Sequence, residues 1–393
     1  MPTATERTAR LCRVIETKTG DERVRSLVPP QLPPVPPVDL SGLIAVHDEA
    51  NRALGRLDGV TSILPDPDLF LSMYVRKEAV VSSQIEGTQS SLSDLLLFEN
   101  EAAPGVPMND VQEVSNYVAA LRHGLERLKG GFPLSLRLIR EMHGVLLSKG
   151  RGATKQPGEF RVSQNWIGGT RPGNAIFVPP PVSELDGCLD AFEKYLHAES
   201  PDLPLLVRAG LAHVQFETIH PFLDGNGRIG RLLITLLLCE AGVIREPILY
   251  LSLFFKTHRQ TYYDLLQRVR QTGDWEAWLS FFLEGIVTTA NQAAQAAKHI
   301  LQLSSDDRKR IEALGRPAGS ALRLHQLLLE RPILSATIAA GRLGLSLPTV
   351  RSSINHLLAL GILREITGRR RDQQYAYSAY LAILSEGTEP LPR

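Results

Sequence analysis

A single stretch, His220 to Arg231, reads H-P-F-L-D-G-N-G-R-I-G-R and constrains the rest of the chain more than any other segment. Gly225 and Gly227 flank Asn226, and glycine tolerates positive φ and lets a backbone approach a ligand closely. The apolar run that follows, Arg228 to Ala241, predicts a helix. Loop N–H groups opening into a helix N-terminus favour anions, through both the free donors and the helix dipole. Arg228 and Arg231 are three apart, so their guanidinium groups share one side of the first turn and can clamp phosphate oxygens. Asp224 is a hard oxygen ligand beside this loop and suits Mg2+, which binds through one or two carboxylates plus a substrate's phosphates. His220 stands four residues earlier, and histidine is the usual general base near neutral pH. Each residue alone has a plain structural reading, as a core histidine, a polar turn or a solvated pair of arginines. Their conjunction in one short segment predicts an active site.

The segment resembles, position by position, the signature of the Fic family, H-x-F-x-[DE]-G-N-G-R-x-x-R. The resemblance implies a helical catalytic core that transfers AMP from ATP, with Mg2+, to a Ser, Thr or Tyr hydroxyl of a protein. It implies that His220 deprotonates that hydroxyl, that Asp224 holds Mg2+, and that Asn226 and the Gly225 to Arg228 backbone, Gly227 included, hold the α-phosphate. Arg228 and Arg231 would bind the β- and γ-phosphates. Upstream, a predicted helix over 68–85 ends in Ser82-Ser83-Gln84-Ile85-Glu86-Gly87. Ser82 and Glu86 share a helix face, and Gly87 takes a natural C-terminal position. An acid at a helix C-terminus lies at the wrong end of the dipole and asks for a compensating cation. This segment resembles the family's inhibitory motif, [ST]-x-x-x-E-[GN]. The resemblance implies a gate of Ser82, Glu86 and Gly87 in which Glu86 pairs with Arg231 and blocks the γ-phosphate position. The same carboxylate can instead position a water for removing AMP from a modified protein. Tyr262 and Tyr263 lie where relatives hold the adenine ring, with core packing as the competing reading.

The chain has 393 residues, 43% hydrophobic and 22% charged, which fits an ordinary soluble globular protein. A formal charge of +1 excludes a generally basic surface, so any nucleic-acid contact must be local. Cys12, Cys188 and Cys239 are far apart and in no metal-type spacing. With no apolar leader, and with the longest apolar stretch, around Leu232 to Cys239, too short for a bilayer, the expectation is a cytoplasmic protein without membrane contact.

Residues 1–27 show no persistent period, and the prolines of 29–37 predict an extended polyproline strap over the domain surface. Helices are predicted over 41–58, closed by Gly59, then over 68–85, 111–128 and 134–147, with a loop around 104–108. The β-prone runs 158–162 and 175–178 flank the turn-rich Gly168 to Asn174 and predict a hairpin flap. Its edge, within residues 160–178, can take up an extended segment of a protein substrate by strand addition. Helices over 183–198 and 204–219 lead into His220. His213 can share its face but lacks a third ligand at suitable spacing, so a histidine metal site is excluded.

Beyond the helical run at 275–282, an alanine-rich helix over 286–303 connects to a polar boundary. Three short helices, a strand, a basic turn and a last strand then predict a winged helix. Between Ser320 and Gln374 eight arginines face three acids. Thr349, Arg351, Ser352 and Asn355, with the Gly368 to Arg371 wing, can meet DNA, and the same fold also serves as a protein docking surface. The expected fold is mainly α. It comprises an N-terminal helical region with the gate (1–110), a Fic-like core with one β-hairpin flap (111–288), a helical linker (289–319) and a winged helix (320–393). The reading of function is AMP transfer gated by Glu86, with AMP removal or a nucleotide-sensing DNA-binding regulator as alternatives. The sequence leaves a homodimer open.

Overall fold

The computed structural model describes residues 9–19, 22–62, 67–99, 108–198 and 203–390. Two strands, β1 (Arg13–Thr19) and β2 (Glu22–Val28), pair antiparallel. Helices follow as α1 (Ile44–Thr61), α2 (Pro67–Ile85), α3 (Leu92–Glu99), α4 (Met108–Lys129), α5 (Leu136–Leu146), α6 (Val182–His197), α7 (Leu205–Ile219), α8 (Asn226–Glu240), α9 (Leu251–Thr257), α10 (Arg259–Thr272) and α11 (Trp275–Glu312). The C-terminal part comprises α12 (Ala318–Glu330), β3 (Ile333–Ser335), α13 (Ala336–Leu343), α14 (Leu347–Ala359), β4 (Arg364–Glu365), β5 (Gln374–Ala376) and α15 (Ser378–Ser385). Its three strands form an antiparallel sheet in the order β3-β5-β4.

The core is built on α7 and α8, which pack against each other on either side of the His220 loop. From Leu206 to Ile219 every residue of α7 but Arg208 is buried, and most of α8 is buried too. A helix that is apolar on all faces belongs in the interior, and these two carry the site from the centre of the molecule. Helix α2 packs against α4, α9 and the C-terminal elements α12 and α15. Helix α1 lies along α11.

Several expectations are corrected. Residues 13–28 form a hairpin, where the sequence showed no period. The burial of β2 alternates through Val24, Ser26 and Val28, a pattern that a serine on the inner face conceals. The expected strap over 29–37 is held by buried Arg10, whose Nε donates to the Pro36 carbonyl at 2.8 Å while Nη1 pairs with Glu276 at 2.8 Å. Gln215 of α7 donates to the Pro30 carbonyl from inside. Helix α1 runs past Gly59 to Thr61 instead of stopping there, and the loop expected around 104–108 lies, up to 107, outside the described residues. Helix α11 is continuous across both breaks expected near 286 and 304. It contains no proline, its alanine-rich middle favours helix, and Gly285 is there because Phe254 and Leu251 press on it.

The flap differs most. No regular strand forms over 158–162 or 175–178, and one bridge, Ile167 with Phe177, joins the two arms. The first arm spends its donors on the site loop. Arg161 gives its N–H to the Pro221 carbonyl at 2.9 Å, and Asn165 gives its side-chain amide to the Phe222 carbonyl at 2.9 Å. The second arm is taken by β2 through Leu27 N–H to the Val178 carbonyl at 2.9 Å.

Candidate active site

His220 ends α7 in a left-handed conformation, φ 48° and ψ 60°, which β-carbon crowding makes uncommon outside glycine, although histidine adopts it more often than most residues. Two contacts hold it there. Its N–H donates to the Phe216 carbonyl at 2.9 Å, and its carbonyl accepts from Arg161 Nε at 3.0 Å. The ring is half-buried, and Nδ1 is sealed from solvent without a hydrogen-bond partner. Burial, followed by the charges of Arg270 and Arg161, pushes its pKa down to about 3, so the imidazole is neutral near pH 7.

The loop from Pro221 to Gly225 is closed by Asn226, whose side-chain oxygen accepts from Phe222 N–H at 2.9 Å and whose amide donates to the Phe222 carbonyl at 2.8 Å. The Asn226 side chain therefore shapes the loop. Gly225 caps α8 at φ 79°, and the first turn of α8 presents N–H groups with no intrahelical acceptor.

Asp224 accepts from Gly225 N–H at 2.6 Å and from Arg228 at 3.4 Å, both through Oδ1. Its Oδ2 faces the space beside Gly152, where a β-carbon would stand 2.9 Å away. Arg228 is buried and pairs with Glu113 at 3.2 Å, which also pairs with Arg151 at 3.2 Å. Arg231 is buried as well. Its Nη2 pairs with Glu86 at 2.8 Å and donates to the Ser82 carbonyl at 3.0 Å, while Nε donates to the Ser82 hydroxyl at 2.8 Å.

The C-terminus of α2 is thus turned onto the N-terminus of α8. Gly87, at φ 100°, ends α2, and Arg259 caps the Ile85 carbonyl at 3.2 Å. The Glu86 carboxylate lies over Gly227 so closely that a β-carbon there would overlap Oε1. Burial raises the Glu86 pKa, but Arg231, helped by the charge of Arg228, offsets it, and the net shift is downward. The carboxylate is about a third exposed, so its hold comes from where it stands more than from the strength of a screened pair.

Sequence reasoning placed His220, Asp224, Arg228, Arg231, Ser82 and Glu86, and the structure brings all of them to one loop. The two tyrosines have neighbouring rings, 5.1 Å apart, but differ in exposure. Tyr262 is buried, and its hydroxyl lies 2.8 Å from His213 Nε2, while Tyr263 is partly exposed beneath the Arg259 guanidinium. His213 donates from Nδ1 to the Gly230 carbonyl at 3.0 Å, so Nε2 accepts from Tyr262, and the pair is structural.

Four residues escaped the sequence reading. His143 of α5 accepts from Gly158 N–H at Nδ1, 2.9 Å, and donates from Nε2 to the Asp224 carbonyl, 3.0 Å, with its ring stacked on Phe222 at 3.7 Å. Arg161 supports His220, and Glu113 orients Arg228. Glu217 is buried beside Gly230 with Oε1 unpartnered, and its burial, against the pull of Arg231, raises its pKa to about 7. None of the four shares a local pattern with the site, and only the fold assembles them. Among the described residues no cluster of three metal-ligating side chains occurs, and no helix is long and apolar enough to cross a membrane.

Residues 44–126 match the Fic/DOC family N-terminal domain, and residues 133–238 match the Fic/DOC family. This chain carries a Fic domain. Protein adenylyltransferase Fic of Culex quinquefasciatus is 34% identical over 51% of this chain and 38% of its own length. The protein of the same name from Drosophila willistoni is 30% identical over 62% of this chain and 44% of its own. The chain thus spans about two fifths of the length of these curated relatives. The crystal structure of a Fic family protein from Desulfovibrio desulfuricans G20 superposes over 87% of this chain and 97% of its own with a TM-score of 0.57 at 21% identity. Fic-1 of C. elegans, residues 134–508, superposes over 67% of this chain and 74% of its own with a TM-score of 0.51 at 23% identity. These two likenesses extend the Fic fold over the helical core.

Proposed function

We propose that this chain is a protein adenylyltransferase held closed by its own Glu86. The observation that carries the reading is the Glu86 carboxylate standing on the anion loop, paired with Arg231 and set over Gly227, where a nucleotide phosphate would otherwise bind. The similarity to proteins named adenylyltransferases supports the reaction class.

In the proposed reaction a target hydroxyl gives its proton to neutral His220 as its oxygen bonds to the α-phosphorus of ATP. The bond from that phosphorus to the bridging oxygen breaks, and pyrophosphate leaves. Alignment and charge stabilisation supply most of the rate in such a transfer. The backbone donors of the Gly225 to Arg228 turn orient the α-phosphate, and Arg228 and Arg231 meet the departing phosphates once Glu86 is displaced. Asp224 fits Mg2+ by donor chemistry, since Oδ2 is a hard oxygen not taken by the loop, beside the proposed phosphate position. When bound, Mg2+ supplies neutralisation of the pyrophosphate charge. The exposed Val162 and Ile176 of the flap offer an apolar surface to a protein substrate.

One observation favours a second reading, removal of AMP. Glu86 uses only Oε1 on Arg231, and Oε2, without a protein hydrogen bond among the described residues, can hold a water. ATP labelled at the α-phosphate tests the first reading. Label should pass to protein with the Glu86→Gly variant and disappear when His220→Ala is added, and label that survives His220→Ala would refute the assigned base. Removal of AMP would instead be abolished by Glu86→Gly.

A further inference from the structure

The C-terminal sheet and helices carry charge that the AMP-transfer reading does not use. Arg351 on α14, Arg364 on β4 and Arg369, Arg370 and Arg371 in the β4–β5 turn are all exposed. None of them is in a salt bridge or side-chain hydrogen bond among the described residues, whereas Arg308 and Arg310 of the adjoining α11 are paired with Glu312 and Asp307. Five unpaired arginines on one small unit stand out in a chain of net charge +1.

The helix and the turn form one surface. Tyr375 of β5 stands opposite Glu365 of β4 in the sheet register and within electrostatic reach of Arg351 of α14. The acid at the base of the turn is spent on structure. Glu365 accepts from Thr367 N–H at 2.7 Å and from Gly368 N–H at 3.0 Å, so its carboxylate folds the turn that displays the three arginines. Along α14, Ser352 and Asn355 are exposed beside Arg351, with Thr349 half-exposed, and Ser346 caps the helix. Arginine and asparagine are the side chains that read guanine and adenine edges in a major groove, and an α-helix fits that groove.

We propose that this face binds duplex DNA, with α14 directed at the major groove and the Arg369 to Arg371 turn on the flanking phosphates. The make-up of the face separates this from protein docking. Ile366 is its one exposed large apolar side chain, whereas the buried centre of a protein interface is apolar and depleted in charge.

The test uses the full chain without ATP, so that it is independent of AMP transfer. Binding of a fluorescent duplex of about 30 base pairs is followed by anisotropy at KCl between about 50 and 200 mM. If five arginines neutralise phosphates, the logarithm of the binding constant should fall against log salt with a slope of about −4.5. The triple variant R369A/R370A/R371A removes three, so its slope should drop to about −2 and its affinity should fall at least about tenfold at low salt. These side chains are exposed and unpaired, so circular dichroism and basal AMP transfer should be unchanged. No duplex binding at about 50 mM salt overturns the proposal, as does binding that the triple variant leaves intact. Polyglutamate, run in parallel, identifies the other case. Retention of polyglutamate by these arginines without duplex binding would assign the face to an acidic protein partner and overturn the DNA site.

Discussion

Replacement of His143 by phenylalanine keeps the ring stacked on Phe222 and removes two hydrogen bonds, one that ties α5 to the anion loop at Asp224 and one that ties it to Gly158 of the flap. The Gly158 N–H and the Asp224 carbonyl each lose a buried partner, at about 1–3 kcal/mol apiece. The expected loss of stability at pH 7 is therefore about 2–6 kcal/mol. Acid should reverse part of it. Burial pushes the folded-state pKa of His143 down to about 4 from the usual 6.5, so the unfolded chain binds the proton more tightly and wild-type stability falls as pH drops from 6.5 toward 4. At pH 5 that cost is about 2 kcal/mol, from 1.36 kcal/mol per pH unit, and phenylalanine does not incur it. Urea unfolding of both proteins at pH 7 and pH 5 should show the gap narrowing by about that amount. Displacement of the Asp224 to Gly225 segment should also lower AMP transfer about 10- to 100-fold in a Glu86→Gly background, since small misplacements of reacting groups cost that much. A variant as stable as wild type at pH 7, or a gap that is the same at both pH values, would refute the role assigned to His143.

Three further outcomes follow from the same geometry. Glu217→Gln should be stabilising at pH 8 relative to pH 5, because a buried carboxyl with its pKa raised to about 7 must ionise above that pH, a cost of up to about 3 kcal/mol that the amide avoids; denaturant midpoints at the two pH values check this. Tyr262→Phe should lose about 1–2 kcal/mol of stability, by leaving His213 Nε2 without its donor, and should leave KM for ATP unchanged, whereas Tyr263→Ala should raise that KM if the partly exposed ring meets the adenine; steady-state kinetics in the Glu86→Gly background separate the two. Gln84 donates to the Ser90 and Thr388 carbonyls and so joins the end of α2 to the C-terminal segment after α15; Gln84→Leu should loosen the gate and raise AMP transfer at least about threefold, and an unchanged rate would show that this contact does not bear on Glu86.

The catalytic loop and the gate were legible because each is a local pattern whose chemistry depends on spacing along the chain. His220, Asp224, Arg228 and Arg231 are fixed relative to one another by one turn and one helix, so the sequence alone predicts their neighbourhood. Ser82 and Glu86 sit a turn apart, and the resemblance supplied Arg231 as their partner. His143, Arg161, Glu113 and Glu217 were not legible, because three of them come from other segments and none carries a local pattern that announces its contact. The closure of the loop by the Asn226 side chain on Phe222 was not legible either, since it depends on loop geometry and not on residue type. The flap pairs its arms at one antiparallel bridge, without the regular strands its residues suggest, for a related reason. Its β-prone residues are real, but the Arg161 backbone N–H is taken by the Pro221 carbonyl of the site loop. Tertiary partners decided what propensity left undecided.

The central claim is that Glu86 holds an AMP-transferring site closed. Its most direct test is the rate at which label passes from α-phosphate-labelled ATP to protein with purified wild type, Glu86→Gly and the double variant that also carries His220→Ala. The account predicts a rise of at least about tenfold, or about 1.4 kcal/mol, on removing the carboxylate from Arg231, and a return to background in the double variant. A folded Glu86→Gly protein that transfers no more label than wild type would contradict it.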